Sequence, residues 1–149
     1  MAPVVAVCGA GEGASAGELA WAEELGGLIA QAGALLVCGG LGGVMEAACR
    51  GARSKLGTTI GLLPGERRDD ANGWVSLAIP TGMGEARNVL VVRAADVVIA
   101  IGGGWGTMSE VAFAMKLGVR VISLGSFALE GVVEATSPAH ALELARIRH

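Results

Sequence analysis

A chain of 149 residues, 52% of them hydrophobic, has the length and apolar content to close one folded core, which excludes a disordered chain. Eleven Lys and Arg against 14 Asp and Glu leave a net charge of −3, so no broad positive field is present for a nucleic-acid backbone and nucleic acid is not an expected partner. Cys8, Cys38 and Cys49 form no CxxC and only His140 and His149 are present, so neither a disulfide framework nor a metal site is expected, and the expected compartment is reducing cytoplasm.

Short β-branched runs alternate with longer Ala-rich segments along the whole chain, the pattern of parallel strands joined by crossover helices. No basic stretch precedes the first apolar run, so no secretory signal is expected. The first strand is predicted over residues 3–8 and the first helix over 16–32, followed by a strand at 34–38 and a helix at 43–56. Residues 25–45 carry no charge, but seven glycines and Gln31 interrupt them, so they read as a buried strand between two helices and not as a membrane span. A strand at 58–63 leads into PGERRDDANG (64–73), a charged surface loop in which Arg67, Arg68, Asp69 and Asp70 neutralise one another. Strands at 75–79, 96–101 and 119–124 then alternate with helices at 84–95 and 107–117. The last helix, 139–147, starts from Ser137 as N-cap and Pro138 in its first turn, and Arg146 and Arg148 complement its dipole. The expected architecture is a single Rossmann-like, doubly wound α/β domain over residues 1–149, with a mainly parallel sheet of six or seven strands.

Two ten-residue segments echo each other. GGLGGVMEAA (39–48) and GGWGTMSEVA (103–112) share Gly-Gly-x-Gly and align Glu46 with Glu110, each directly after a predicted strand. A Gly-rich turn from a parallel strand into a helix gathers free backbone N–H groups at the positive end of the helix dipole, where phosphate binds. Gly102, Gly103, Gly104 and Gly106 suit that use, with Trp105 between them and Thr107 as a helix cap and hydroxyl donor. Gly39, Gly40, Gly42 and Gly43 form either a second such loop or a tight packing turn. No Walker A is present, and Gly9, Gly11 and Gly13 match GxGxxG only loosely, with no acidic residue closing the second strand, so an adenine dinucleotide is disfavoured.

In a doubly wound sheet the ligand crevice opens at the carboxyl ends of the strands, where the strand order reverses. The usual order 3-2-1-4-5-6 would put that point between Cys8 and Ile79. The loop TGMGEARN (81–88), with Thr81, Gly82 and Met83, would then hang over it, and Arg87 would reach a phosphate or ribose. Glu110, in the first turn after the phosphate loop, would face the same cleft. Surface pairing of Arg87 with Glu85 or Glu110 is the alternative use of these charges.

The string TGMGEARNVLVVRAADVVIAIGGGWGTMSE resembles the paired motifs of the lysine decarboxylase-like superfamily, the Rossmann-like SLOG group that includes the LONELY GUY phosphoribohydrolases and the molybdenum cofactor carrier proteins. The resemblance covers nearly the whole chain and is nearest to the carrier-like branch. It implies that residues 102–107 hold a phosphate. In a phosphoribohydrolase, which splits a nucleoside 5′-monophosphate into base and ribose 5-phosphate, Arg87 and Glu110 would match the catalytic positions. Gly84 and Glu85 stand where Met and His are usual, Asn88 replaces Lys, Gly102 replaces Pro, and Phe113 replaces a frequent further Glu. These departures weaken a catalytic reading and leave a binding one intact. The implied ligand is a phosphorylated heterocycle such as the molybdenum cofactor, with its ring system over residues 39–43 and Met83. A nucleotide sensor or DNA-processing-related module is a third class in the same superfamily.

Cys8, Cys38 and Cys49 read as small buried hydrophobes, and His140 and His149 as surface residues. Trp21, Val89, Leu90 and Val92 add more apolar surface than one small sheet needs to cover. Trp105 is a cleft wall, a contact between subunits or a core residue. A homo-oligomer, dimer or tetramer, is expected.

Overall fold

Runs that are apolar at every position become the centre of the sheet. Val97–Ile101 (β5) is buried throughout, and Val4–Gly9 (β1) lies beside it in parallel register, with Cys8 opposite Ala100 and Gly9 opposite Ile101. The computed structural model describes residues 1–147; Arg148 and His149 lie outside the described residues. Beyond β1 and β5 the strands are Leu35–Cys38 (β2), Thr59–Leu63 (β3), Leu77–Pro80 (β4), Arg120–Leu124 (β6) and Val133–Glu134 (β7). They form a seven-stranded sheet in the order β4-β3-β2-β1-β5-β6-β7, every pair parallel.

The helices divide between the two faces. Ala16–Gln31 (α1), Val44–Ser54 (α2) and Pro138–Ala145 (α5) cover Val5, Val7, Leu36, Ile99 and Ile122, while Asn88–Ala94 (α3) and Trp105–Leu117 (α4) cover Ala6, Cys8, Val37, Val98 and Ala100. Strand alternation thus sends Cys8 towards the α3/α4 layer and Cys38 towards the α1/α2 layer. α1 and α2 cross closely enough that a Cβ at Gly26 would run into the Ala48 carbonyl, and one at Gly51 into the Glu23 carbonyl. Ser15 and Glu18 form a reciprocal capping box at the start of α1, and Ser137 accepts from the His140 amide at the start of α5, with Pro138 in its first turn.

Three expectations are corrected. The strand near 75–79 does not neighbour β1; as β4 it pairs with β3 at the edge, and β5 takes the place beside β1. Between β3 and β4 stands only a loop with one 3-10 turn, Arg68–Asp70, which does not carry the chain across the sheet, and the exposed Leu77 and Ile79 with the closing Pro80 suit an edge. The helix expected over 84–95 is split into a 3-10 turn, Gly84–Arg87, entered through Gly84 at φ +60°, and α3. Of the apolar surplus assigned to Trp21, Val89, Leu90 and Val92, Val92 is fully buried, Trp21 packs on one face of the core and Leu90 on the other, and Val89 stays half-buried. Exposed large apolar side chains include Trp105, Phe113, Met115 and Leu117 on α4, Trp105 at 88%, beside others scattered over the surface such as Leu56 and Trp74. No helix among the described residues is long and apolar enough to cross a membrane.

Candidate functional site

The corrected strand order moves the switch point to the ends of β1 and β5. From Gly9 the chain turns to α1 on one face, and from Ile101 to α4 on the other, so the two loops diverge and leave a cleft between them. Its volume is about 280 Å³. Gly9, Ala10, Gly11 and Glu12 form one wall and Gly104, Gly106, Thr107 and Glu110 the opposite one, with Gly39, Met45, Glu85, Arg87 and Asn88 completing the lining.

The Gly-rich turn at 102–107 leads into the start of α4. Gly103, at φ +108°, packs so tightly on Thr107 that a Cβ there would overlap that side chain, and Gly104 is the N-cap, with no side-chain cap. The helix therefore begins at Trp105, two residues before the expected start. Thr107 is buried in its first turn and does not cap it, and Glu110 falls in the second turn. The glycines supply the non-helical turn, so no capping hydroxyl is needed to end it. Among the described residues no hydrogen-bond acceptor takes the amides of Gly103, Gly104, Trp105, Gly106 or Thr107. Five free donors stand at the positive end of a 13-residue helix, with Gly104, Gly106 and Thr107 lining the cleft, an arrangement whose chemistry suits an anion.

Arg87 is buried and its guanidinium is largely committed. Nε donates to the Leu62 carbonyl at 2.8 Å, Nη2 to the Gly39 carbonyl at 3.4 Å, and Nη1 to Asn88 Oδ1. Asn88 Nδ2 in turn donates to Ser109 Oγ at 2.9 Å, and Ser109 Oγ to the Gly106 carbonyl at 2.7 Å. This chain of bonds ties the ends of β2 and β3 to the first turn of α4. Arg87 forms no ion pair with Glu85 or Glu110. A Cβ at Gly39 would meet the Arg87 guanidinium at 2.6 Å, so any side chain there would push the guanidinium off its carbonyl partners.

Glu110 is the buried acid of the cleft. Its Oε2 accepts from Cys8 Sγ at 3.2 Å. Burial lifts its pKa from the usual 4.5 to about 7, against the opposing pull of the Cys8 thiol and of Arg87. The Cys8 thiol is itself pushed well above its usual range, by burial first and then by the neighbouring Glu110.

Of the residues singled out from sequence, Gly9, Gly39, Arg87, Gly104, Gly106, Thr107 and Glu110 meet in the cleft. The others lie around it. Gly40 packs on Leu63 and Gly61, with its carbonyl held by Asn72, and Gly43 is wedged under the carbonyls of Ala10 and Gly11 as N-cap of α2, with Gly42 beside it. Thr81 Oγ1 donates to the Leu63 carbonyl at 2.7 Å, Gly82 N–H donates to the Gly65 carbonyl, and Met83 is half exposed outside the cavity. Gly102 is held by Leu124 and Ser126, and Trp105 projects into solvent. Sequence reasoning did not single out Ala10, Gly11, Glu12, Met45, Glu85 and Asn88 as lining residues. The loose GxGxxG match after β1 was the available signal for the first three. Among the described residues no group of three or more His, Cys, Asp or Glu is placed to hold a metal ion.

The sequence model of the SLOG cluster4 family matches residues 2–147. The chain belongs to the SLOG cluster4 family. A molybdenum cofactor binding protein from the phototrophic bacterium Rippkaea orientalis superposes on this family member with a TM-score of 0.91 at 41% identity, covering 97% of this chain and 95% of that one. The molybdenum cofactor carrier protein of Chlamydomonas reinhardtii gives 0.90 at 34% identity, over 98% and 97% of the two chains. An uncharacterized protein of Archaeoglobus fulgidus is 50% identical over 103 residues, 69% of this chain and 68% of its own length.

Proposed function

We propose that this SLOG cluster4 protein is a molybdenum cofactor carrier-like protein that binds a phosphorylated small heterocycle in the cleft between β1 and β5. The observation that carries this reading is the set of unpartnered amides at Gly103, Gly104, Trp105, Gly106 and Thr107. The terminal phosphate of the ligand sits on those amides, and its ring system extends towards Gly39, Met45 and Glu110. Glu110, half neutral near pH 7, places little negative charge beside that phosphate. Similarity to the Rippkaea and Chlamydomonas proteins over nearly the full chain supports the cofactor as the ligand. Three free cysteines suit a reducing cytoplasm. The exposed Trp105 and Phe113 on α4 suit a homo-oligomer, which light scattering tests.

Mass spectrometry of the ligand released from protein purified without added cofactor is the test. A molybdopterin or another phosphorylated heterocycle at near-stoichiometric yield is expected; a ligand without phosphate overturns the reading. One observation favours a second reading, a nucleoside 5′-monophosphate phosphoribohydrolase: a carboxyl that titrates near 7 is suited to general-acid work. Sustained release of adenine from AMP, abolished in Glu110→Gln, would select it.

A further inference from the structure

Cys8 lies outside the cleft lining, yet it touches the one buried acid in it. It ends β1 on the face turned to α3 and α4, is 1% exposed, and its Sγ donates to Glu110 Oε2. A thiol has a single proton to give. Oε2 is therefore engaged as an acceptor, and a neutral carboxyl here carries its own proton on Oε1. No partner among the described residues reaches Oε1, and Glu110 lines the cleft. The charged groups around it are few. Glu12 comes from the loop after β1, and Glu85 and Arg87 from the 3-10 turn, with the Cys8 thiol beneath.

We propose that Cys8 is a positioning residue for ligand selection: by occupying Oε2 it leaves Oε1 of Glu110 as a hydrogen-bond donor facing the cleft, so the bound heterocycle offers an acceptor there, a keto oxygen or an unprotonated ring nitrogen. This rests on the reading of the cleft as a site for a phosphorylated heterocycle. A ligand that presents a protonated ring or an ammonium group at the same point instead requires the carboxylate form, and its affinity would rise with pH where that of the acceptor-bearing ligand falls. The thiol acts only through Glu110.

Two measurements test it. In the free protein, the infrared S–H stretch of Cys8, assigned by its loss in Cys8→Ala, moves to lower frequency as Glu110 ionises between pH 6 and pH 8, and stays fixed in Glu110→Gln. Cys8→Ser, which keeps a donor, leaves the Glu110 carboxyl band titrating near 7, whereas Cys8→Ala shifts that titration upwards. An S–H band that ignores pH, or equal titrations in Cys8→Ala and wild type, refutes the proposal.

The second measurement is calorimetric, with GMP as probe, because it joins a phosphate to the 2-amino-4-oxopyrimidine ring found in a pterin. In Glu110→Gln the amide carbonyl takes the thiol proton and the amide N–H faces the cleft, so this variant copies the neutral acid at every pH. Its GMP affinity equals that of wild type at pH 6, and wild type falls below it by about tenfold at pH 8, the loss expected when only the neutral form of a group titrating near 7 binds. Both proteins share the titration of the GMP phosphate, which cancels in the ratio. A ratio that stays constant, or a Glu110→Gln variant already tenfold weaker at pH 6, refutes the donor assignment alone. Failure of both GMP and ribose 5-phosphate to bind refutes the phosphate reading instead.

Discussion

Replacing Glu110 with glutamine removes a buried ionisable group from the cleft, and its effect on stability follows from one titration. In the unfolded chain this carboxyl ionises near 4.5; in the fold it ionises near 7. Between those values the native state holds more protons than the unfolded state, so raising the pH through that window destabilises the fold, and above about 7 the loss is complete. The gap corresponds to about 3 kcal/mol, and the near-complete burial of the side chain means that solvent screens little of it. Glutamine keeps the acceptor for Cys8 and has no charge to bury. Glu110→Gln is therefore neutral to within about 1 kcal/mol at pH 4.5 and more stable than wild type by up to about 3 kcal/mol at pH 8. For a domain of this size the gain corresponds to roughly 10 °C in Tm. Urea unfolding of both proteins across pH 4.5 to 8 measures it. A variant no more stable at pH 8, or one whose gain does not change with pH, would show that the carboxylate is not held against its solvation and would remove the basis for a neutral Glu110.

Arg87→Lys keeps the charge but cannot bridge the Leu62 and Gly39 carbonyls, so a loss of about 2 kcal/mol in denaturant unfolding is expected, with weaker GMP binding. Gly103→Val forces a branched side chain into φ +108° and against Thr107; at least a tenfold loss of phosphate affinity in calorimetry is expected, with the sheet retained by circular dichroism. Gly51→Ala pushes a methyl into the Glu23 carbonyl where α1 and α2 cross, and about 1–3 kcal/mol of destabilisation is expected from overpacking, with GMP affinity at pH 7 unchanged in the folded fraction.

The parallel sheet was legible because β1 and β5 are apolar at nearly every position, a pattern that only strands covered on both faces produce. Strand order was less so. The run at 75–79 looks as apolar as its neighbours, and the feature that sends it to the edge, a connection from β3 too poor in helix to cross the sheet, carries little weight in a one-dimensional pattern. Gly103, Thr107, Arg87 and Glu110 sit on motifs whose spacing survives folding. Local chemistry also indicated glycines near Gly40 and Gly43, but what they share is tight packing against Leu63, Gly61 and the loop after β1, and packing partners distant in sequence leave no local mark. Cys8 shows the same limit. A cysteine closing an apolar strand reads as a small hydrophobe, and its bond to Glu110 joins residues 102 positions apart.

The most direct measurement is an NMR titration of the nitrogen-15-labelled protein with inorganic phosphate and then with GMP. Anion capture by the main chain at the start of α4 predicts saturable downfield shifts of the amide protons of Gly103, Gly104, Trp105, Gly106 and Thr107, with the largest shifts there for both ligands and additional changes at Gly39 and Met45 only for GMP. Amides at 103–107 that stay unmoved while other regions respond, or that move no more than the surface loop at 64–73, would contradict it.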